Sequence, residues 1–243
     1  HQGTRQLKMY TDCGSTAQMT KAGNFQIEGG RKLSGTIRTN TSKNSAVVLL
    51  CASLLNRNRT VLKNMPHIEE VNRLVEVLRS IGVRVTWEKN DLEIIPPKRL
   101  DLRKLDGEAG ARTRSIIMFM GPLVHLFSSF KLPHPSGCKM GRRTVRPHLF
   151  ALEKMGVRIE TVHGIYKIKV PKLKPAEIVL YEAGDTVTEN AIMAAARIPG
   201  KTILKFASAN YMGQDLCHYL ETLGVQIEGI GTTTLTVHGV PDI

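Results

Sequence analysis

The sequence predicts an α/β fold made of three consecutive βαβαβ-type units with pseudo-threefold symmetry, in which the sheets lie outside and the helices inside. The first observation is a helix stop that occurs three times, at Gly82, Gly156 and Gly224, with an apolar residue on each side. Glycine suits this position because the residue after a helix often adopts a left-handed conformation, in which a side chain clashes. The second observation is that an amphipathic helical pattern precedes each glycine and a hairpin-like alternation follows it. Three copies with the same boundaries indicate a repeated architecture.

The first unit covers about residues 41–98. Its predicted elements are a helix at 45–55, a strand at 60–64, a second helix at 68–81 and a hairpin at 83–95. The second helix carries apolar residues at the three- and four-residue steps of a buried face, at Val71, Leu74, Val75 and Leu78.

The second and third units, at about 110–171 and 182–243, repeat this order. In the second unit we predict a helix at 113–126, a short strand at Phe130, a helix at 145–155 and a hairpin at 157–170. In the third unit we predict a helix at 188–196, a strand at 202–206, a helix at 212–223 and a hairpin at 225–240.

The segment before residue 41 differs from the repeats. Residues 1–23 are polar and lack periodicity, so we expect a disordered extension, and Met19 is a candidate start site within it. Residues 24–39 predict two strands around a turn at Gly29 and Gly30, because apolar and polar residues alternate on both sides of the glycines.

The composition is that of an ordinary globular protein with a strong positive charge. The chain has 243 residues, of which 42% are hydrophobic, and a formal net charge of +13, which favours anionic partners. Only 5% of the residues are aromatic, so stacking platforms are scarce, and we expect small anionic substrates and no nucleic-acid partner. Apolar runs fall short of the roughly 18 residues of a membrane span, so we expect no membrane partner.

Cysteine and histidine usage argues against disulfides and metals. The four cysteines lie far apart without a CxxC pair, which favours a reducing compartment, the cytoplasm. Cys51 and Cys217 fall in apolar helical patterns that are typical of buried thiols. His134, Cys138 and His148 share one loop but fall short of the four ligands of a structural zinc site, so we expect no metal.

The segment from Pro133 to His148 has the composition of a reactive loop. Cys138 lies between Gly137 and Gly141. The cations that follow the cysteine are Lys139, Arg142, Arg143 and Arg146. Cations favour the thiolate, and they can also hold a phosphate or carboxylate beside it. The alternative interpretation is a solvated basic loop that happens to carry a cysteine.

Each unit begins its first helix at a polar loop. In the first unit Lys43 lies between Ser42 and Asn44, either of which can cap the helix, and the lysine meets the positive end of the helix. Arg114 holds the matching place in the second unit, and residues 184–190 open the third. Singly these are ordinary surface charges. Pseudo-threefold packing would bring them to one rim beside the cysteine loop, which predicts an anion-binding site.

Together these residues resemble a known family. From about residue 24 to its end, the chain is similar to the first half of the UDP-N-acetylglucosamine 1-carboxyvinyltransferases, which are enolpyruvyl transferases. The matching motifs are Gly29-Gly30 with Leu33-Ser34-Gly35, Ser42-Lys43-Asn44, Arg114-Ser115 leading into Gly121-Pro122-Leu123, Gly137-Cys138 with Gly141 and Arg143, His148 leading into Leu152-Glu153, and Thr188-Glu189-Asn190 with Met193-Ala194-Ala195.

The resemblance implies an inside-out α/β barrel of the enolpyruvyl transferase type, two of which enclose the active site in a cleft. It implies that residues 41–243 form one such domain and that the opening strands at 24–40 belong to a second domain that is otherwise missing. The implied reaction transfers the enolpyruvyl group of phosphoenolpyruvate to the sugar 3-hydroxyl of UDP-N-acetylglucosamine in peptidoglycan synthesis. It needs no metal or organic cofactor. Without the second domain, which is needed to close the site, we expect the chain to be nearly inactive.

The resemblance also implies roles for residues of this chain. Cys138 would be the general acid that protonates the methylene carbon of phosphoenolpyruvate, and the site of fosfomycin-type alkylation. Lys43, the second catalytic candidate, and Asn44 would hold phosphoenolpyruvate. The residues expected to bind the UDP-sugar are Arg114, Arg143, Thr144, Val145, Arg146, Pro147, Glu182, Ala183, Gly184 and Asp185. The family pattern after the cysteine is Arg-Pro-Val-Asp, so a cation at Arg146 replaces an acceptor here.

Two alternative functions remain open. The 3-phosphoshikimate 1-carboxyvinyltransferases share the fold, although the cysteine loop favours the sugar enzyme. The alternative from another class is a non-catalytic basic module that binds nucleic acid. Its affinity would fall steeply as the salt concentration rises and would not depend on the nucleotide sequence.

Overall fold

The computed structural model describes residues 8–10, 16–19, 25–26, 29–30, 32–105, 107, 110, 113–134 and 144–243. The chain divides into two compact units, His1–Asn40 and Thr41–Ile243. The division falls between Asn40 and Thr41, where the three-repeat domain was expected to start.

The first unit contains a small antiparallel sheet. Its strands are β1 (Lys8–Tyr10), β2 (Thr16–Met19) and β3 (Phe25–Gln26), in the order β1-β2-β3. Two of these strands lie within residues 1–23, where we expected a disordered extension. They form because main-chain hydrogen bonds pair the strands of this polar segment, and side-chain periodicity does not reveal such pairing. The second strand expected after Gly30 is absent from residues 32–40. Leu33 and Ile37 are 73% and 89% exposed there, because alternation alone does not make a strand without a partner.

The second unit contains three repeats of two helices each. Its α-helices within the described residues are α1 (Lys43–Ala52), α2 (Glu69–Ser80), α3 (Met120–Leu123), α4 (Arg146–Lys154), α5 (Asp185–Ala195) and α6 (Tyr211–Thr222). Short 3-10 helices cover Ser53–Leu55, Leu102–Lys104 and Arg114–Phe119.

Each repeat closes with its own sheet. The strands are β4 (Thr60–Leu62), β5 (Arg84–Glu88) and β6 (Asp91–Ile95) in the first repeat, and β7 (Ser129–Pro133), β8 (Arg158–Val162) and β9 (Ile165–Lys169) in the second. The third repeat has β10 (Glu177–Val179), β11 (Gly200–Lys205), β12 (Gln226–Glu228) and β13 (Thr234–Gly239). The orders β4-β6-β5, β7-β9-β8 and β11-β13-β12 are equivalent antiparallel arrangements, and β10 adds a parallel edge strand to β11.

Burial places the helices inside and the sheets outside. The first helix of each repeat is almost entirely buried, along 45–52 in α1, 116–123 in the second repeat and 187–195 in α5. In contrast, α2, α4 and α6 bury one face, and the strands alternate between buried and exposed residues. The predicted inside-out α/β barrel of three repeats is confirmed.

The three stop glycines share one conformation. Gly82, Gly156 and Gly224 have φ angles of +99°, +99° and +92°, in the left-handed region predicted for them. In each case the amide of the following valine donates back to a carbonyl in the last turn: Val83 to Leu78, Val157 to Leu152 and Val225 to Leu220, at 3.0, 3.2 and 3.1 Å. The same backbone bond therefore ends the second helix of every repeat.

All three first helices differ from their predicted form. The first begins at Lys43, two residues before the predicted start at Ser45, and its α-helical part ends at Ala52, after which a 3-10 helix covers Ser53–Leu55. The helix expected over 113–126 is a 3-10 helix at Arg114–Phe119 that continues as the single-turn helix α3. The first helix of the third repeat begins at Asp185, three residues before the predicted start at Thr188. Gly184 has an extended backbone and is the N-cap, so the helix starts at the next residue. Asp185 then lies in the first turn, where a carboxylate complements the helix dipole.

Candidate functional site

The site begins at the first turn of α1. Ser42 caps this helix, since its side-chain Oγ accepts a hydrogen bond from the amide of Ser45 at 3.1 Å. Lys43 is therefore the first helical residue, and its ammonium Nζ donates to Glu70 Oε2 at 2.6 Å. The Lys43 side chain remains 51% exposed. A half-exposed cation at the positive end of a helix can accept an anionic ligand.

Glu70, on the first turn of α2, joins the first and second repeats. While one carboxylate oxygen accepts from Lys43, the other accepts from Thr113 Oγ1 at 3.3 Å and from Ser115 Oγ. Partial burial opposes ionisation of Glu70, but the hydrogen bonds from Lys43 and Ser115 outweigh it and lower the pKa of the carboxyl group. Glu70 is therefore a carboxylate that holds Lys43 beside the start of the second repeat's first helix.

Arg114 starts that helix and contacts the predicted nucleotide segment. Thr113 caps the 3-10 helix by accepting from the Ser115 amide at 3.2 Å. The Arg114 guanidinium Nη2 donates to the carbonyl of Thr144 at 3.1 Å. The structure thus brings Arg114 together with residues 144–147, two parts of the sequence-predicted site that are far apart in the chain.

His148 and Asn190 join the second and third repeats. Burial, together with the nearby Arg114 charge, lowers the pKa of His148 to about 3, so the ring is neutral. The Asn190 amide Nδ2 lies 3.3 Å from His148 Nδ1, and since an amide nitrogen only donates, Nδ1 is the acceptor. The ring proton then lies on Nε2, which faces Thr186 Oγ1 at 3.3 Å. Asn190 Oδ1 accepts from the Gly121 amide at 2.8 Å, which ties α5 to α3.

A third joint connects the third repeat back to the first. The Tyr211 hydroxyl lies 3.0 Å from Ser42 Oγ, and Ser45 Oγ donates to Asp215 Oδ2 at 2.5 Å. Tyr211 begins α6, and Ser42 and Ser45 belong to the start of α1.

The three joints form a closed ring around the pseudo-threefold axis. In every joint, a residue near the start of one repeat's second helix contacts the start of the next repeat's first helix. The joining residues are Glu70 in the first repeat, His148 in the second, and Tyr211 with Asp215 in the third. The helix starts that carry Lys43 and Arg114 therefore lie in one ring, while the cysteine loop expected beside them lies outside the described residues.

In the acidic segment of the third repeat, Asp185 accepts its side-chain hydrogen bonds from residues of the same repeat. Asp185 Oδ1 accepts from Asn210 Nδ2 at 2.7 Å and from Ser208 Oγ. Glu182 and Ala183 are exposed, and Gly184 is half-buried. Residues 182–185 lie beside α4, because Tyr181 meets Phe150 edge to face with ring centroids 5.2 Å apart.

The remaining predicted nucleotide residues differ in their availability. Arg146 makes a two-fold ion pair with Glu153, with both N–O distances at 2.8 Å, so its charge is already balanced. Thr144 is exposed, Val145 is half-buried and Pro147 is buried in the first turn of α4. Asn44 is exposed next to Lys43. Cys138 and Arg143 lie outside the described residues.

Glu189 is a buried carboxyl group that the sequence analysis named only as part of a motif. Its Oε1 has no hydrogen-bond partner among the described residues. Burial, together with the nearby Asp185 charge, raises the pKa of Glu189 to about 8, so the group is protonated at neutral pH. Cys51 and Cys217 are buried as predicted, and burial raises the pKa of both thiols.

Glu70 and His148 were missed as organising residues. A glutamate in the first turn of an amphipathic helix is common in sequences, so only its position across the repeat boundary distinguishes Glu70.

Along the described part of the chain, the helices are too short or too polar to cross a bilayer.

The chain is similar to enolpyruvyl transferases in sequence and in fold. UDP-N-acetylglucosamine 1-carboxyvinyltransferase of Bradyrhizobium diazoefficiens is 38% identical over 215 residues, which cover 88% of this chain and 50% of that protein. The protein of the same name from Chlorobaculum parvum is 35% identical over 222 residues, covering 89% and 52%. The solved structure of the enolpyruvyl transferase NikO from Streptomyces tendae matches with a TM-score of 0.76 at 22% identity, covering 88% of this chain and 50% of that one.

The chain spans about half the length of the curated relatives that it matches. The model of one family, described as EPSP synthase (3-phosphoshikimate 1-carboxyvinyltransferase), matches residues 27–242, which is most of the chain. The chain therefore belongs to the EPSP synthase family of enolpyruvyl transferases.

Proposed function

We propose that the protein to which this chain contributes transfers the enolpyruvyl group of phosphoenolpyruvate to the 3-hydroxyl of UDP-N-acetylglucosamine and releases phosphate. The relatives at 38% and 35% identity are named UDP-N-acetylglucosamine 1-carboxyvinyltransferase, which supports this proposal. The observation that carries the proposal is the Glu70 joint, where Lys43 and the start of the Arg114 helix meet at one carboxylate. Peptidoglycan synthesis in the cytoplasm is the corresponding biological setting.

Each predicted residue has a role in this proposal. Lys43 and Asn44, at the positive end of α1, bind the phosphate and carboxylate of phosphoenolpyruvate. Arg114 and residues 143–147 bind the UDP-sugar, together with residues 182–185. Cys138 supplies the proton to the methylene carbon and is the site that fosfomycin-type epoxides alkylate. A cation-rich site of this kind stabilises both substrates and the charge that develops beside the phosphate.

The site is expected to be completed by a second domain, because the relatives are about twice as long as this chain. Phosphate release with both substrates tests this point. We expect this chain alone to turn over at a small fraction of the rate of a longer chain that includes the following coding sequence. Equal rates for the two chains would contradict the need for a second domain.

Substrate choice is tested by isothermal titration of the chain. We expect UDP-N-acetylglucosamine to bind and Arg114→Lys to weaken that binding, since lysine lacks the planar fork that holds phosphate and carboxylate groups. Arg84→Lys, at an exposed position of β5, is the matched control, since it makes the same replacement away from the site. The family model is described by its 3-phosphoshikimate activity, so shikimate 3-phosphate is the second candidate. Tighter binding of shikimate 3-phosphate than of the UDP-sugar would reverse the assignment.

A further inference from the structure

The outer face of the second repeat's sheet has a residue pattern that the proposed reaction does not use. Directly opposed residues on β7, β9 and β8 form three rows across this sheet. The rows are Pro133–Ile165–Val162, Lys131–Lys167–Glu160 and Ser129–Lys169–Arg158. Phe130, Leu132, Tyr166 and Ile168 alternate with them and are buried, so the three rows lie on the outward side. We call these nine positions the basic outer face.

The cations of this face are unbalanced. Lys131 lies directly opposite Lys167, and Arg158 lies directly opposite Lys169. Like charges at opposed positions destabilise a sheet, so such pairs are unfavourable for folding alone. Within the described residues, none of these four cations takes part in an ion pair. Glu160 is the single carboxylate of the face.

The other two sheets show that the fold does not require this pattern. In the first repeat the outward positions carry three carboxylates, Glu88, Asp91 and Glu93, and one cation, Arg84, and Arg59 pairs with Glu93. In the third repeat Lys205 pairs with Glu177 at 2.5 Å and His238 with Glu228 at 2.9 Å, which leaves Lys201 as an unpaired cation opposite His238. Among the three equivalent sheets that the structure describes, only the sheet of the second repeat therefore places unpaired cations directly opposite each other.

A depression lies at the cationic end of the face. It has a volume of about 450 Å³ and is lined by Ser128, Ser129, Arg158, Lys169, Val170 and Pro171. Two cations and two hydroxyl groups are the donors that hold a phosphate group. At the opposite end, the first row is apolar, and its central residue Ile165 is 40% exposed.

We propose that the basic outer face binds the surface of an anionic phospholipid bilayer. The cationic rows and the depression contact headgroup phosphates, and the row of Ile165 lies against the apolar side of the interface. None of the nine positions is aromatic, so the face has no platform on which bases stack, and this favours lipid over nucleic acid. The expectation of no membrane partner was based on the lack of a spanning segment, which surface binding does not need.

Co-sedimentation of the chain with vesicles tests this proposal. We expect binding to vesicles of phosphatidylcholine that contain phosphatidylglycerol, weak binding to phosphatidylcholine alone, and a decrease as salt rises. Each basic residue near an anionic surface contributes about fivefold in affinity, so removing two, with Lys131→Ser and Lys167→Ser together, should weaken binding by about 25-fold. The matched control is Arg84→Ser with Lys201→Ser, which removes two exposed strand cations from the other sheets and should leave binding within about twofold. Circular dichroism checks that both double variants fold.

Two further measurements separate the bilayer from other polyanions. Ile165→Ser should weaken vesicle binding even at a salt concentration that screens the cations, because it removes the apolar contact. Equal losses in the two double variants would show that net charge alone drives binding and would overturn the proposal. It would also be overturned if a single-stranded oligonucleotide bound more tightly than the vesicles and Ile165→Ser changed neither affinity.

Discussion

The Lys43 ammonium lies 2.6 Å from one carboxylate oxygen of Glu70, whose other oxygen accepts hydrogen bonds from Thr113 and Ser115. One side chain on α2 therefore holds the candidate catalytic lysine and fixes the start of the next repeat's first helix. The same kind of joint recurs at His148 and at Tyr211, so the rim that carries the candidate site is also a structural ring. Changes at the rim should consequently affect stability as well as ligand binding.

Removal of the Glu70 carboxylate should destabilise the second unit. In Glu70→Ala the hydroxyls of Thr113 and Ser115 and the Lys43 ammonium lose their common acceptor. Because the joint is partly buried, we expect a loss of about 2 kcal/mol in the free energy of unfolding. Urea denaturation followed by circular dichroism measures it.

Glu69→Ala provides the control for that variant. Glu69 is the neighbouring residue on α2 and makes an exposed pair with Arg73 one turn away. The cost should stay below about 0.5 kcal/mol, as for other such helix pairs. If the two alanine variants lose equal stability, the Glu70 joint has no special role.

The buried Glu189 should make stability fall as the pH rises. Its pKa is about 8 in the folded chain, against an ordinary value of 4.5. Both states are protonated below about pH 4.5, whereas above it the unfolded chain ionises first. The stabilising contribution is therefore complete below that pH and is lost as the pH rises towards about 8.

Glu189→Gln should flatten the dependence over this interval. Melting temperatures of the parent chain and the variant between pH 5 and pH 8 measure the difference, which isolates Glu189 from other titrating groups. If the melting temperatures of the two proteins change equally with pH, Glu189 is not protonated in the folded state.

Alanine at two stop glycines should separate backbone strain from steric overlap. Gly156 and Gly224 have similar positive φ angles of +99° and +92°. A Cβ atom at residue 224 would have no atom of the described residues within 4 Å, whereas at residue 156 it would overlap the carbonyl oxygen of Lys172. Gly224→Ala should cost about 1 kcal/mol, and Gly156→Ala should cost clearly more.

The urea midpoints of these two variants give the comparison directly. If both variants lose the same stability, the Lys172 carbonyl moves aside without cost. If Gly224→Ala loses none, the left-handed conformation is not strained by a side chain there.

Thiol reactivity should distinguish Cys138 from the core cysteines. Cys51 and Cys217 are buried, and burial raises their thiol pKa, to about 12 for Cys217, so both should resist alkylation in the folded chain. Cys138 is proposed to be activated by the cations around it in the sequence. Labelling with an epoxide followed by peptide mass spectrometry should find the adduct first at Cys138. Modification of Cys51 at the same rate would contradict the proposed role of Cys138.

The amino-acid sequence by itself determined the features that depend on local backbone and periodicity. The stops at Gly82, Gly156 and Gly224 were predictable because a left-handed residue after an amphipathic helix has a local signature, and three such signatures define three repeats. The start of α1 was predictable in part, since Ser42 and Asn44 were both candidate caps and the helix was expected from residue 45, whereas Ser42 is the cap and the helix begins at Lys43.

Tertiary structure alone decided which side chains meet across the repeats. Glu70 contacts Thr113 and Ser115, and His148 contacts Asn190, over long stretches of sequence that carry no local mark of either pairing. The unbalanced rows of the second sheet likewise appear only when the register places Lys131 opposite Lys167. Periodicity specifies which face of a helix or strand is buried. Packing and strand register decide which residues of other elements meet the buried face or the exposed face.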